Sequence, residues 1–349
     1  MRDVAVVGFA QRQMKEFDGS PTCVELLVPI FAECYEQTGF TRQDIGFWCS
    51  GSSDYLAGRS FSFVSAVDAI GALPPVNESH VEMDAAWALY EAWLKIQTGE
   101  VDTALVYGFG KSSAGVLRRT LALQLDPYTM TPIWPDTVSI AALQARLGLD
   151  QGLWDEAALA AVAQRSLTDA ETNEWAIRSG GSSIEALLER SLYADPLRKH
   201  DIAPVSDGAS AIVLAAGDRA REACERPAWI THIAHHIDPL HLGARDLTTS
   251  PSARRSAPGQ PVEIAELHAP FSHQELILRR ELGLANDVAI NPSGGALTAN
   301  PMFTAGLNRI GEAAQRVWDG SADAVLGHAT SGPALQQNLV CTMSSEATA

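Results

Sequence analysis

The chain has 349 residues, 46% hydrophobic and 19% charged, enough apolar sequence for one large or two moderate domains around a buried core. A formal net charge of -17 opposes the basic footprint of nucleic-acid binding and any attraction to anionic membrane surfaces. No apolar run is long enough to span a bilayer. The five cysteines (Cys23, Cys34, Cys49, Cys224, Cys341) are dispersed and in no CxxC spacing, so reduced thiols are expected instead of disulfides or a zinc site.

In chain order, VAVVGFA reads as a strand with no secretory layout around it, so a cytoplasmic location is expected. SPTCVELLVPIFAECYEQTGF has helical periodicity, with Ser20 before Pro21 as its expected start. IGFWCSG reads as a second strand, 57–71 as a helix, and PPVNESHVEM as a loop and a short strand. A helix over 84–98 leads through a glycine turn into DTALVYGFG, whose unbroken apolar run suits a sheet covered on both faces. This is β-α-β-α-β, the grammar of an α/β fold. The glycines of VYGFGKSSAG match neither phosphate-loop nor dinucleotide spacing and read as a tight turn.

The segment from about 112 to 200 is less regular. It carries the proline-rich DPYTMTPIWPD and a helix over 154–172, and reads as an inserted loop region. SDGASAIVLAAGDRA then returns to the core as a buried strand. The later chain repeats the grammar: AWITHIAHHI as a strand, VEIAELHAPFSHQELILRREL as a strand entering a helix, VAINPSGGAL as a strand entering a loop. A helix over 302–318 and the strands ADAVLGHA and NLVCTMSS complete it. IQTGEVDTALVYG and VWDGSADAVLGH share helix end, glycine turn, acidic residue and buried strand. Duplicated halves over 1–222 and 223–349 are therefore expected.

This duplication, with GEVDTALVYGFGK, DPLRKHDIAPVSDGASAIVLA, ELHAPFSHQELILRRELGL and NPSGGALTANPMFTAG, resembles the thiolase superfamily, most nearly its lipid-transfer, sterol-carrier type. The third stretch is the most specific. The His-Asp-Cys-Phe motif of those proteins stands here as His268-Ala269-Pro270-Phe271, followed by Gln274-Glu275-Leu276. The resemblance implies a thiolase-like fold, coenzyme A as part of the substrate with no tightly bound cofactor, and a homodimer. It also implies an OB-fold, DUF35-type protein partner. The family's catalytic cysteines are not matched: Glu82 falls where the nucleophile belongs, Asn300 or Pro301 at the Gly-His-Pro histidine, and Thr330, Ser331 and Gly332 at the second cysteine. Three activities follow as expectations. They are retro-aldol cleavage of a bulky or branched β-hydroxyacyl-CoA, acyl transfer at a non-standard site, and non-catalytic binding of acyl-CoA or lipid.

The candidate catalytic residues are His268, Glu82, His328 and Asn300, with Gly294, Gly295, Ser331 and Gly332 for substrate binding. An imidazole at 268 can stabilise a thioester oxyanion, as the resemblance implies. Glu82 is expected in the pocket facing His268, as a general base whose pKa burial would raise. Asp84, just before Ala85, reads as an ordinary helix cap. His80 and His328 end segments that converge on the expected pocket. His232, His235, His236 and His241 mimic a metal spacing, but strand alternation splits them between two faces and no acidic or cysteine partner completes a set. Lys111, Arg198 and Lys199 are candidates for a coenzyme A phosphate.

Overall fold

The computed structural model describes residues 2–15, 21–57, 60–71 and 76–347. The first half contributes β1 (Val4–Met14), β2 (Phe47–Gly51), β3 (Glu78–Val81) and β4 (Thr103–Lys111). The insertion carries a separate ribbon of β5 (Leu192–Ala194) and β6 (Leu197–Arg198), and β7 (Asp207–Ala216) rejoins the main sheet. The second half supplies β8 (Ala228–Ile237), β9 (Ile264–Leu267), β10 (Ala289–Ile290), β11 (Ala324–Ser331) and β12 (Gln337–Ser344).

Across the sheet the order is β3-β2-β4-β7-β1, then β8-β12-β11-β9-β10, so the second half repeats the first in reverse. Directions repeat as well. β2 lies parallel to β3 and β4, as β9 does to β10 and β11, while β7 and β12 run antiparallel to both of their neighbours within each half. β4 and β11, which carry the two echoing sequences, take the same place in each half. The fold is thiolase-like α/β with duplicated halves, and β1 meets β8 only at Ala5–Trp229 and Val6–Ala228.

Strand alternation sorts the core into layers. Val4, Val6, Ala104, Val106, Ile212 and Leu214 face a central layer, while Ala5, Val7, Leu105, Tyr107, Ala211 and Val213 face an outer one. The central layer holds the helices Ala85–Gln97 and Ala305–Trp318, one from each half, packed between strands of both. The outer layer of the first half is covered by the helix Cys23–Thr38. That of the second half is covered by Ser272–Glu281 together with the insertion helices Thr137–Asp150 and Glu156–Asp169. Both faces of the sheet are thus buried, which is why its strands read as unbroken apolar runs.

Several local expectations change. Ser20 lies outside the described residues, and the first helix is capped by Thr22. Its hydroxyl accepts from the Glu25 amide (3.3 Å) while the Glu25 carboxylate accepts from the Thr22 amide (2.7 Å), a reciprocal capping box. Residues 58 and 59 of the expected 57–71 helix are also outside; Ser62–Ile70 is helical. Gly108 and Gly110 do not form a tight turn. They lie within β4, where added Cβ atoms would meet the backbone oxygens of Phe303 (2.5 Å) and Met302 (2.3 Å). Their bareness lets the chain of the second half lie directly on a strand of the first. On β8, His232 and His236 both face Ser256 (3.0 and 2.9 Å), and His235 packs edge-on against Tyr90, as alternation requires. Among the described residues, no helix is long and apolar enough to cross a membrane.

Candidate functional site

A cavity of about 370 Å³ opens where the ends of β9 and β11 meet the N-termini of the two central helices. In open α/β sheets the carboxyl ends of parallel strands are where ligands bind, because strands stop there and loops diverge. His268, Asn300, Asp84, Thr330, Ser331 and Gly332 line it. Much of the remaining wall is apolar, with Leu121, Val138, Ile140, Phe271, Met302 and Phe303 prominent.

His268 follows β9 directly. Its Nδ1 accepts from the Thr330 backbone amide (3.3 Å), so the ring proton sits on Nε2, which donates to Oδ1 of Asn300 at 2.9 Å. Burial, reinforced by the neighbouring His328, holds the His268 pKa down at about 3, and the ring is neutral at pH 7. Asn300 is anchored by its own amide, which donates to Ser206 Oγ (2.9 Å). With Oδ1 occupied by the imidazole, the Asn300 side-chain amide is oriented, and it has no protein acceptor among the described residues. A neutral, oriented amide donor on a cavity wall is what a developing oxyanion requires.

Asp84 does more than cap one helix. Its Oδ1 accepts from Ala86 (2.9 Å) and Leu307 (3.1 Å), and its Oδ2 accepts from Gly306 (2.9 Å). One buried carboxylate therefore satisfies amides at the N-termini of both central helices. Gly306 permits the approach, since a Cβ there would come within 2.7 Å of Oδ1. Burial raises the Asp84 pKa, opposed by these three amides. Oδ2, with a single amide, retains a lone pair. The long-range bonds, 222 and 223 residues away in sequence, left no local signal beyond the cap position.

Other expected residues lie elsewhere. Glu82 does not face His268. It sits at the end of the edge strand β3 with 60% of its side chain exposed, 3.5 Å from His80 Nε2. His80 is itself held by Ser50 Oγ (2.9 Å) and stacked on Phe63, which accounts for the pair structurally. His328 is fully buried behind His268 and off the cavity wall. Its Nε2 contacts Asn338 Oδ1 at 2.9 Å, and burial lowers its pKa to about 4. Gly294 and Gly295 are not cavity residues either. Both adopt positive φ (93° and 65°) in a turn closed by the Gly294 amide on the Asn291 carbonyl (2.8 Å). Of the candidates for a phosphate, Lys199 lines the cavity, Arg198 pairs with Glu156 (2.6 Å), and Lys111 donates to the Pro21 carbonyl (2.9 Å). None of the five cysteines lies among the cavity-lining residues.

No protein-family model matches the sequence. The chain is 27% identical over 352 residues to the acetyl-CoA acetyltransferase of Methanocaldococcus jannaschii, covering 89% of each protein. It is 25% identical over 356 residues to that of Methanothermobacter thermautotrophicus, covering 91% of each. Among solved structures it superposes on the Ltp2-ChsH2(DUF35) aldolase with a TM-score of 0.79 at 18% identity, over 99% of this chain and 98% of that one. A thiolase-like fold with acetyl-CoA acetyltransferase relatives at modest identity is the common ground of these comparisons.

Proposed function

We propose that the cavity takes an acyl-CoA thioester and that the protein cleaves the Cα–Cβ bond of a bulky β-hydroxyacyl chain without a cysteine nucleophile. The observation that carries this reading is the neutral His268–Asn300 pair on the wall of a largely apolar cavity with no thiol among its lining residues. In the retro-aldol direction a base removes the β-hydroxyl proton and the Cα–Cβ electrons move to the thioester oxygen. The β-carbon leaves as a ketone or aldehyde. The Asn300 amide, oriented by His268, would hold the enolate oxygen, a contribution worth a few kcal/mol in comparable sites, roughly 2.7–4. Asp84 is our candidate base, because its remaining lone pair and raised pKa suit proton abstraction. Protonation of the enolate at Cα completes the reaction and yields a shortened acyl-CoA.

A second reading, acyl transfer, is favoured by the similarity to two archaeal acetyl-CoA acetyltransferases. A homodimer and a DUF35-type OB-fold partner belong to the aldolase reading, the latter by analogy with the partner named in the structural neighbour. The test is to incubate the purified protein, with and without such a partner, with a tertiary β-hydroxyacyl-CoA and separately with acetoacetyl-CoA plus coenzyme A. Mass spectrometry then follows the products. A ketone and a shortened acyl-CoA in the first reaction, lost in Asn300→Ala, support the lyase. Thiolysis in the second reaction alone establishes the transferase. Binding without turnover in either leaves a non-catalytic acyl-CoA-binding subunit.

A further inference from the structure

The cavity holds a charge that the proposed chemistry does not use. Arg178, on the inserted region, lines the same cavity as His268. Its guanidinium donates to the backbone carbonyls of Ile202 (2.8 Å) and Lys199 (3.3 Å), which leaves part of its five-proton fork unengaged. Burial lowers its pKa to about 10, with no carboxylate offsetting the cost. The side chain still stays charged at pH 7.

Several other part-buried or buried arginines sit against a carboxylate, and Arg245, held like Arg178 by backbone carbonyls, has the charge of Asp238 to offset its burial. Arg165 lies against Glu275 (2.6 Å), Arg198 against Glu156 (2.6 Å) and Arg309 against Glu266 (2.9 Å). Arg118, which shares the cavity, is paired with Asp136 (3.0 Å). Lys199 also lines the cavity and, like Arg178, has no ion-pair partner within 4.0 Å among the described residues. At His200 burial lowers the pKa first, Asp201 opposes that, and Arg178 adds a smaller push in the same direction as burial. In a chain of net charge -17, two cations without counter-ions on one largely apolar cavity are an electrostatic vacancy. Arg178 is partly buried and Lys199 exposed, so the cost of the unpaired charge falls mainly on the arginine, and a ligand anion would relieve it on binding.

We propose that Arg178, with Lys199 beside it, forms an anion subsite of this cavity that receives a phosphate or carboxylate of the bound ligand. The guanidinium fork matches either group in a bidentate manner, and the lysine adds a mobile point charge. The thioester reading enters only in naming the two sources: the phosphates of coenzyme A, or a carboxylate on the acyl chain.

Calorimetric titration with four probes separates these. Inorganic pyrophosphate and glutarate test the subsite itself, while coenzyme A and uncharged pantetheine test the thioester reading. We expect the full-length protein to bind at least one of the two small anions, more weakly as salt is raised. Arg178→Gln should weaken that binding roughly tenfold or more, the scale of a lost charged hydrogen bond, and Arg178→Lys should weaken it less. Pantetheine binding should stay within about twofold, since it carries no anion. Pyrophosphate and coenzyme A weakened together identify the phosphate source; glutarate weakened alone identifies the carboxylate. If small-anion binding depends on Arg178 while coenzyme A and pantetheine fail to bind the unmodified protein, the subsite stands and the thioester reading falls. Absence of binding by either anion to the unmodified protein, or equal weakening of anions and pantetheine in Arg178→Gln, overturns the proposal.

Discussion

Replacing Asp84 with alanine separates an ordinary cap from a shared one. A single N-cap substitution typically costs about 1 kcal/mol. Here the change strips the acceptor from three amides, those of Ala86, Gly306 and Leu307, all buried beside a side chain that is itself only 5% exposed. Each unsatisfied buried amide costs roughly 1–3 kcal/mol, partly offset because a desolvated carboxylate is removed as well. The expected loss is about 3–5 kcal/mol, at the upper end of what single substitutions do. Asp84→Asn keeps one acceptor oxygen but turns an amide group towards the other set of donors, so it should lose an intermediate amount. Urea denaturation followed by far-UV circular dichroism, at fixed protein concentration, measures both. A loss at or below about 1 kcal/mol for Asp84→Ala would mean that the bonds to the second helix contribute nothing, and the shared-cap argument would fail.

Buried histidines set the acid limit. Folding depresses His273 and His268 to about 3 and His328 to about 4, so their stabilisation is complete above the unfolded value near 6.5 and is lost as pH falls towards those values. His273→Leu, in the core beside Gln144 and off the cavity wall, should reduce the stability loss between pH 6.5 and 5 by roughly 1.5 kcal/mol; an unchanged slope would contradict this. Iodoacetamide should leave any activity intact, because burial pushes the Cys49 and Cys341 thiols to about 12 and raises Cys34 and Cys224 as well; stoichiometric labelling of one cysteine with parallel inactivation would reverse the argument. Gly110→Ala places a methyl 2.3 Å from the Met302 oxygen and should shift the 301–304 loop, lowering ligand affinity well before stability; unchanged affinity in a folded variant would show that the loop does not position the cavity.

The architecture was legible because burial on both faces leaves unbroken apolar strands, and because the echo between residues 96–108 and 317–328 survives in turn chemistry as well as hydrophobicity. The site was less so. His268 and Asn300 could be located from a motif and a spacing, yet counting back along the helix put Glu82 where the structure puts Asp84. That count assumes a fixed distance between helix start and Gly99. The helix starts at Ala85, and Glu82 belongs to the edge-strand turn. Arg178 carried no local signal at all. Its meaning depends on which side chains are missing around it, and a sequence does not display missing neighbours.

The carboxylate that joins two helix starts also limits how this chain can be taken apart. The second central helix begins at Ala305, and its N-cap Thr304 supplies no side-chain cap, so the amides of Gly306 and Leu307 depend on Asp84 from the other half. The halves repeat one another in strand order but are not interchangeable modules. A chimera that joins the second half of this protein to the first half of a relative without an acidic residue at that position would start with two bare amides in its centre. Residues 223–349 expressed alone would meet the same defect, and the natural chain should melt as one cooperative unit, with a single calorimetric transition covering both repeats.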